Sequence, residues 1–209
     1  LPYVRRRELQ GVIAEELEHR HSGNPEAVYD QLAHHYLHSD RRDKARTYCE
    51  RAGDRARDRF INKAAIDYYS TAIDLSQEAD RASLHLKLAQ IWNRVGEYKR
   101  CISDGETAAR IAEAHHDFET CYNALNRIGH SHQHLGDMKA ARTFAEKGIL
   151  TAEKTNLTGL RIRAGFTLAN LDMDQDDWKM AKDTFEDGLR EARRLGDRQA
   201  IVMALFGLG

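Results

Sequence analysis

Leu135-Gly136-Asp137-Met138-Lys139-Ala140-Ala141-Arg142-Thr143-Phe144-Ala145-Glu146-Lys147-Gly148 is the stretch that decides how the chain folds. Its second residue is a glycine, where a helix must stop. The aspartate that follows can cap a new helix, because its side-chain oxygen accepts a backbone N–H that the first turn leaves without a partner. Ala141, Phe144, Ala145 and Gly148 then recur at spacings of three and four, which puts them on one face of an α-helix. The stretch reads as the bend of a helix hairpin followed by the second helix of that hairpin.

The same punctuation returns in Val95-Gly96-Glu97-Tyr98 and in Gln175-Asp176-Asp177-Trp178, so Gly96, Gly136 and Asp176 stand at intervals of 40 residues (136−96 and 176−136). Four residues after the acid come Cys101, Ala141 and Ala181, small side chains that let two helices approach closely. The leading helices carry Leu84, Leu88, Ala89 and Trp92, then Leu125, Ile128, Gly129 and His132, then Gly165, Leu168, Ala169 and Asp172. The trailing helices carry Ile102, Gly105, Ala108 and Ala109, then Phe144, Ala145, Gly148 and Ala152, then Phe185, Gly188, Leu189 and Ala192. Each set is one stripe built for burial. His115-His116-Asp117, Lys154-Thr155-Asn156 and Leu195-Gly196-Asp197 separate one repeat from the next. Residues 81–197 are therefore read as three 40-residue repeats, and 198–209 as the start of a fourth. A chain that opens without methionine and stops after Ala200-Ile201-Val202-Met203-Ala204-Leu205-Phe206 is expected to be a piece of something longer.

Residues 1–80 lack this period and read as helices at about Tyr3 to His19, Pro25 to His38, Arg42 to Arg59 and Asn62 to Ser76, an amino-terminal segment of irregular hairpins. With only two prolines, Pro2 and Pro25, almost nothing in the sequence interrupts a helix. The expected fold class is all-α.

The order of small residue, Gly-Asp turn, alanine, aromatic and small residue from Gly129 through Gly148 resembles a tetratricopeptide (TPR) repeat in a longer, 40-residue form, and Trp178 to Gly188 resembles it nearly as well. The first copy departs from the pattern at Gly105, where a bulky residue is usual. The resemblance implies a right-handed superhelix of antiparallel helix hairpins, a TPR-like α-solenoid. His34-His35-Tyr36, Asp43 to Tyr48, Arg51 to Ala56, Ala64 to Tyr69 and Ala72-Ile73 are similar to the segment joining the ATPase core to the helical repeats in bacterial signal-transduction ATPases, multidomain nucleotide cyclases and kinases. If that likeness holds, the catalytic module lies outside this chain.

Within the 209 residues there is no GxxxxGK[ST] phosphate loop, GxGxxG, GxSxG, HExxH or kinase signature, so no catalytic residue and no cofactor is expected. The 31% of charged residues cancel to a net charge of -1, which supplies no field for nucleic acid or anionic lipid, and no apolar run is long enough to span a membrane. A cytoplasmic location is expected. Cys49, Cys101 and Cys121 show no CxxC spacing and read as small, reduced packing residues. His130 and His134, like His34 and His38, stand one helical turn apart, but no third ligand is indicated and no metal site is expected. Asp172, Asp174, Asp176 and Asp177 lack the glycine and closing glutamate of an EF-hand and read as turn and capping acids. Arg5-Arg6-Arg7 shares a helix with Glu8, Glu15, Glu16 and Glu18, so its charges can pair there.

The expected function is a protein-protein interaction or intramolecular scaffold module of a larger signalling protein. It would bind a peptide, a helix or a neighbouring domain on the face lined by the leading helices. The alternative is a regulatory sensor arm that binds a small-molecule effector in the groove, which would require an apolar pocket with convergent polar groups. Once the packing stripes are assigned, the residues left on that face are Lys87, Gln90, Asn93 and Arg94, then Asn123, Asn126, Arg127, His130, Gln133 and His134, then Arg163, Phe166, Thr167 and Asn170. The amides and cations would hold backbone or acidic groups, with Phe166 as an apolar anchor.

Overall fold

The computed structural model describes residues 2–155, 157–173 and 177–209, the side chains of Pro2 and Tyr3 excepted. Among these residues the chain is helical from end to end, without a strand: α1 (Pro2–Arg20), a 3-10 turn (Pro25–Val28), α2 (Tyr29–Leu37), α3 (Arg42–Asp58), α4 (Asn62–Leu75), α5 (Glu78–Arg94), α6 (Tyr98–Ala114), α7 (Phe118–His134), α8 (Met138–Glu153), α9 (Thr158–Met173), α10 (Trp178–Leu195) and α11 (Arg198–Leu208). Within each unit neighbouring helices pack on one another, α1 to α4 in sequence and α6 to α11 in sequence, the all-α array of TPR-like hairpins that the 40-residue period implies.

One backbone device makes the bends. The N–H groups of Glu97, Asp137 and Asp177 donate to the carbonyls of Trp92, His132 and Asp172, each at 2.9 Å. This six-residue closure supplies acceptors and donors that a helix end leaves unmatched. It recurs between repeats, from Asp117 to Ala112 (2.9 Å) and from Asp197 to Ala192 (3.0 Å), and again from Ile61 to Ala56 (2.8 Å). Bend and joint are thus the same turn. Before the donors Glu97, Asp137 and Asp197 the chain turns left-handed, at Gly96, Gly136 and Gly196 with φ of 80°, 80° and 71°. Phe60 and His116 hold that conformation at φ of 60° without being glycine. Asp117, Asp137 and Asp197 then cap α7, α8 and α11 by accepting the N–H of Thr120, Ala140 and Ala200 at 3.0 Å. Glu97 and Asp177 hold the capping position without a side-chain cap. Residues 156 and 174–176, where two of the expected breaks fall in part, lie outside the described residues.

The chain divides into two compact units, residues 1–91 and 92–209, within the last turn of α5. Punctuation alone places a boundary at 80/81. The body of α5 belongs to the first unit because Lys87 bonds Glu50 (2.8 Å) and Asp54 (3.0 Å) of α3, whereas Trp92 donates to Asp104 of α6 at 2.8 Å.

The first unit has a tyrosine-rich core whose hydroxyls end on carboxylates. Tyr36 and Tyr48, stacked at 5.4 Å, both donate to Glu18 (2.6 and 2.5 Å), and Tyr69 donates to Asp54 (2.7 Å). This follows from the cost of burying a hydroxyl without a partner. Lys44 completes the set around Glu18 at 2.8 Å. Burial alone would raise the Glu18 carboxyl, but the bonds from Lys44, Tyr36 and Tyr48 and the charge of Lys44 outweigh it and bring it down to about 2. Arg7 pairs with Asp40 (2.5 Å) and Arg41 with Glu15 (3.1 Å), so α1 is held by charge from the connection between α2 and α3.

The second unit interlocks small residues with large ones. A side chain at Gly105 of α6 would stand 2.7 Å from Ile128 of α7, which explains the departure from the repeat pattern there: the missing bulk belongs to Ile128. A side chain at Gly129 would meet the Ala141 carbonyl at 3.3 Å, so α7 and α8 cross closely at the expected place. Ala169 and Ala181 are buried together with Phe166, Phe185 and Leu189.

Candidate functional site

In the second unit the residues left over by packing on α7 and α9, with the end of α5, form a ladder of polar side chains from one leading helix to the next. Asn93 and Arg127 meet at the foot, where an Arg127 Nη donates to Asn93 Oδ1 at 3.5 Å. Thr167 of α9 reaches Asn126 Oδ1 and the Tyr122 hydroxyl of α7, both at 3.5 Å. Arg163 continues upward to Gln199 of α11 at 2.5 Å and to Glu119 at 3.9 Å.

Four buried side-chain polar atoms have no hydrogen-bond partner among the described residues, and three of them are rungs of this ladder: Asn93 Nδ2, Arg127 Nε and Arg163 Nε. All three are donors. A buried donor left unmade costs on the order of 1–3 kcal/mol, so three in a row are a concentration of unmet demand for acceptor oxygens. Beside them Asn126, Gln133, Thr167 and Asn170 border a cleft between α7, α8 and α9 of about 20 Å³, room for about one water molecule.

The other expected residues divide. His130 and Asn170 are exposed and Asn123 half-buried, in keeping with a solvent-facing surface; Arg94 is exposed at the end of α5. His134 is exposed too, and its ring stacks on Tyr98 at the start of α6 at 4.7 Å. Lys87 and Gln90 belong to the first unit, where Lys87 is held by Glu50 and Asp54. Phe166 is a correction. Expected as an exposed anchor, it is 0% exposed, stacks on Phe185 at 5.2 Å and fills the space that Gly188 leaves open. The physical reason is that a leading helix packs on more than one side, so α9 buries Leu160, Ala164, Phe166 and Leu171 beyond a single stripe.

Gln199 and the Tyr122 hydroxyl were not foreseen as ladder members. Gln199 sits in the first turn of α11, and Tyr122 is a buried residue with only its hydroxyl on the ladder. His34 and His38 have rings 4.5 Å apart and His130 and His134 6.3 Å apart, yet among the described residues no three His, Cys, Asp or Glu side chains gather as a metal site. Of the four clustered aspartates, Asp172 is committed to Arg142 at 2.6 Å, Asp177 occupies the capping position of α10, and Asp174 and Asp176 lie outside the described residues. Burial raises all three thiols, Cys49 to about 11, which leaves them protonated and inert. Among the described residues no helix is long and apolar enough to cross a membrane.

A tetratricopeptide-repeat family model matches residues 122–155, the α7–α8 hairpin and the joint after it. No curated protein matches the sequence. Among solved structures, aspartyl phosphate phosphatase F from Bacillus subtilis superposes with a TM-score of 0.76 at 15% identity, over 92% of this chain and 52% of that one. A Rap protein complexed with competence and sporulation factor gives 0.69 at 15% identity, over 96% of this chain and 58% of that one. YrrB, described as a TPR protein with an unusual peptide-binding site, gives 0.56 at 18% identity, over 99% and 90%. The chain thus spans about half the length of the phosphatase it resembles. At these identities the likeness is one of fold. It agrees with the helix hairpins: the chain contains a tetratricopeptide repeat within a TPR-like helical array.

Proposed function

We propose that this TPR-type array is a binding module for a protein segment, extended or helical, which it holds along the ladder of its second unit. The observation that carries the reading is the run of three buried donors without acceptors, Asn93 Nδ2, Arg127 Nε and Arg163 Nε, on successive leading helices. A polypeptide supplies acceptors at a regular spacing in its carbonyls, and acidic side chains supply stronger ones for the two guanidinium groups. Proteins of the same fold include one named for a peptide-binding site, which supports a peptide as the class of partner. The alternative, a small-molecule effector in this groove, needs an enclosed pocket of its own size; a cleft of about 20 Å³ holds no more than a water molecule and favours the segment. We further propose that the segment belongs to a signalling protein in the cytoplasm, either a separate partner or a domain of the same polypeptide, in line with the likeness of residues 34–73 to the helical regions of signal-transduction ATPases.

The test is selection of binders from a random peptide library displayed on phage. Peptides selected on the wild-type protein should lose at least about tenfold in affinity for Arg127→Glu combined with Asn170→Ala, with the circular dichroism spectrum unchanged. Asn170→Ala alone, at an exposed position, gives a smaller loss without risk to the fold. Selected peptides that bind the folded double variant as tightly as the wild type would move the site off the ladder.

A further inference from the structure

The trailing helices of the second unit frame a groove that belongs to no part of this ladder. Its walls are α6 and α8, its floor is the back of α7, and its volume is about 530 Å³. The floor residues Cys121, Leu125 and Ile128 lie roughly half a turn around α7 from Asn126, Arg127 and His130, at about 100° per residue, so the two faces are separate. Phe144 and Leu150 of α8 add an apolar wall, and Leu150 is 60% exposed. Above this apolar strip the rims differ in charge. The α6 rim carries Glu106 and Glu113 with Arg110 between them, and the α8 rim carries Lys147 and Lys154. At one end Lys154 and Glu113 close on each other at 3.3 Å. Lys147 lies over the Phe144 ring, 4.9 Å from its centre.

We infer that this groove takes an amphipathic helix of a partner, apolar toward α7, with basic residues along the α6 rim and acidic residues along the α8 rim. The backbone excludes an extended strand. Every wall is a helix whose N–H and C=O groups are already bonded within it, so a strand laid over the apolar floor would bury its own polar groups without partners. A helix satisfies its backbone internally and needs only side-chain contacts. The lining residues match that geometry, since 106, 109, 110 and 113 on α6 and 147, 150, 151 and 154 on α8 keep helical spacing. The lined stretches, residues 106–113 of α6 and 144–154 of α8, offer roughly 12–16 Å of length, enough for about two to three turns of an incoming helix. The charge pattern fixes the direction in which the incoming helix lies, because reversing it would set Lys against Lys147 and acid against Glu106.

Two synthetic helical peptides of about 16 residues test this, one with leucines at i, i+3, i+4 and i+7 and the flanking charges described, the other identical but with its charges exchanged. Fluorescence anisotropy on the intact chain should show the matched peptide binding at least about fivefold more tightly than the exchanged one. Glu106→Lys with Lys147→Glu, both on the surface, should invert the preference. Leu150→Glu should weaken the matched peptide, while Asn170→Ala on the ladder leaves it unchanged. Equal affinity for the two peptides, no binding of either, or competition by a small apolar fluorophore without any charge preference would overturn the inference. Loss of helix binding in Asn170→Ala would overturn it too, and would place the helix on the ladder.

Discussion

Glu18 shows how a single carboxylate can organise an end of the molecule. It accepts from two stacked tyrosines and a lysine that come from α2 and α3, and so fastens α1 to both. Its folded carboxyl lies at about 2, below the ordinary value of 4.5, so the folded form binds its proton less readily than the unfolded form does. The stabilisation is therefore complete above about pH 4.5 and is lost as the pH falls toward 2. With the side chain 31% exposed, solvent screening reduces the effect to about 1–2 kcal/mol. Urea unfolding of the wild type should lose stability between pH 5 and pH 2, and Glu18→Gln should flatten that part of the profile while lowering stability at pH 7. A profile of identical slope in the variant would remove Glu18 from this role.

At the scale of the helix, the α7–α8 crossing sets the tolerance of the array. A side chain at Gly129 would press on the Ala141 carbonyl at 3.3 Å and Phe144 Cβ at 3.6 Å, and a main-chain carbonyl cannot move aside as a flexible side chain can. Gly129→Leu should cost about 1–3 kcal/mol by overpacking, read as a fall in melting temperature. An unchanged melting temperature would contradict the crossing. This contact was legible in the sequence because the turn at Gly136-Asp137 fixes the register on both sides. Helix ends were equally legible, to within a residue or two, wherever a capping acid or glycine stands. Phe166 was misread because a period of 3.6 identifies one buried stripe and α9 buries more. His116 and Phe60 were invisible as left-handed residues because no glycine marks them; the turn is imposed by its hydrogen bonds and by packing around it. The groove behind α7 escaped notice because its floor is made of the very residues, Leu125 and Ile128, that the sequence assigns to the core.

For the whole molecule, each unit carries a core of its own, the first built on buried tyrosines and the second on the Phe166–Phe185 pair and its neighbours. Helical arrays draw their stability from contacts between adjacent elements, so a unit with complete neighbours can stand alone. A fragment beginning at Glu78, which keeps α5 whole and retains the second unit, is expected to fold by itself. Its circular dichroism at 222 nm should be strongly helical and melt cooperatively; a broad, non-cooperative melt would show that the second core is insufficient.

The three buried thiols give these units built-in clocks. Cys49 lies in the first unit and Cys101 and Cys121 in the second, each sealed from solvent and held protonated by its burial. A thiol reagent can attack only when the surrounding helices part, so the rate at which each cysteine is modified in native buffer measures how often its own neighbourhood opens. With one reporter at α3 and two in the α6–α7 hairpin, the native protein carries a local opening gauge in each half without any label having to be engineered into it.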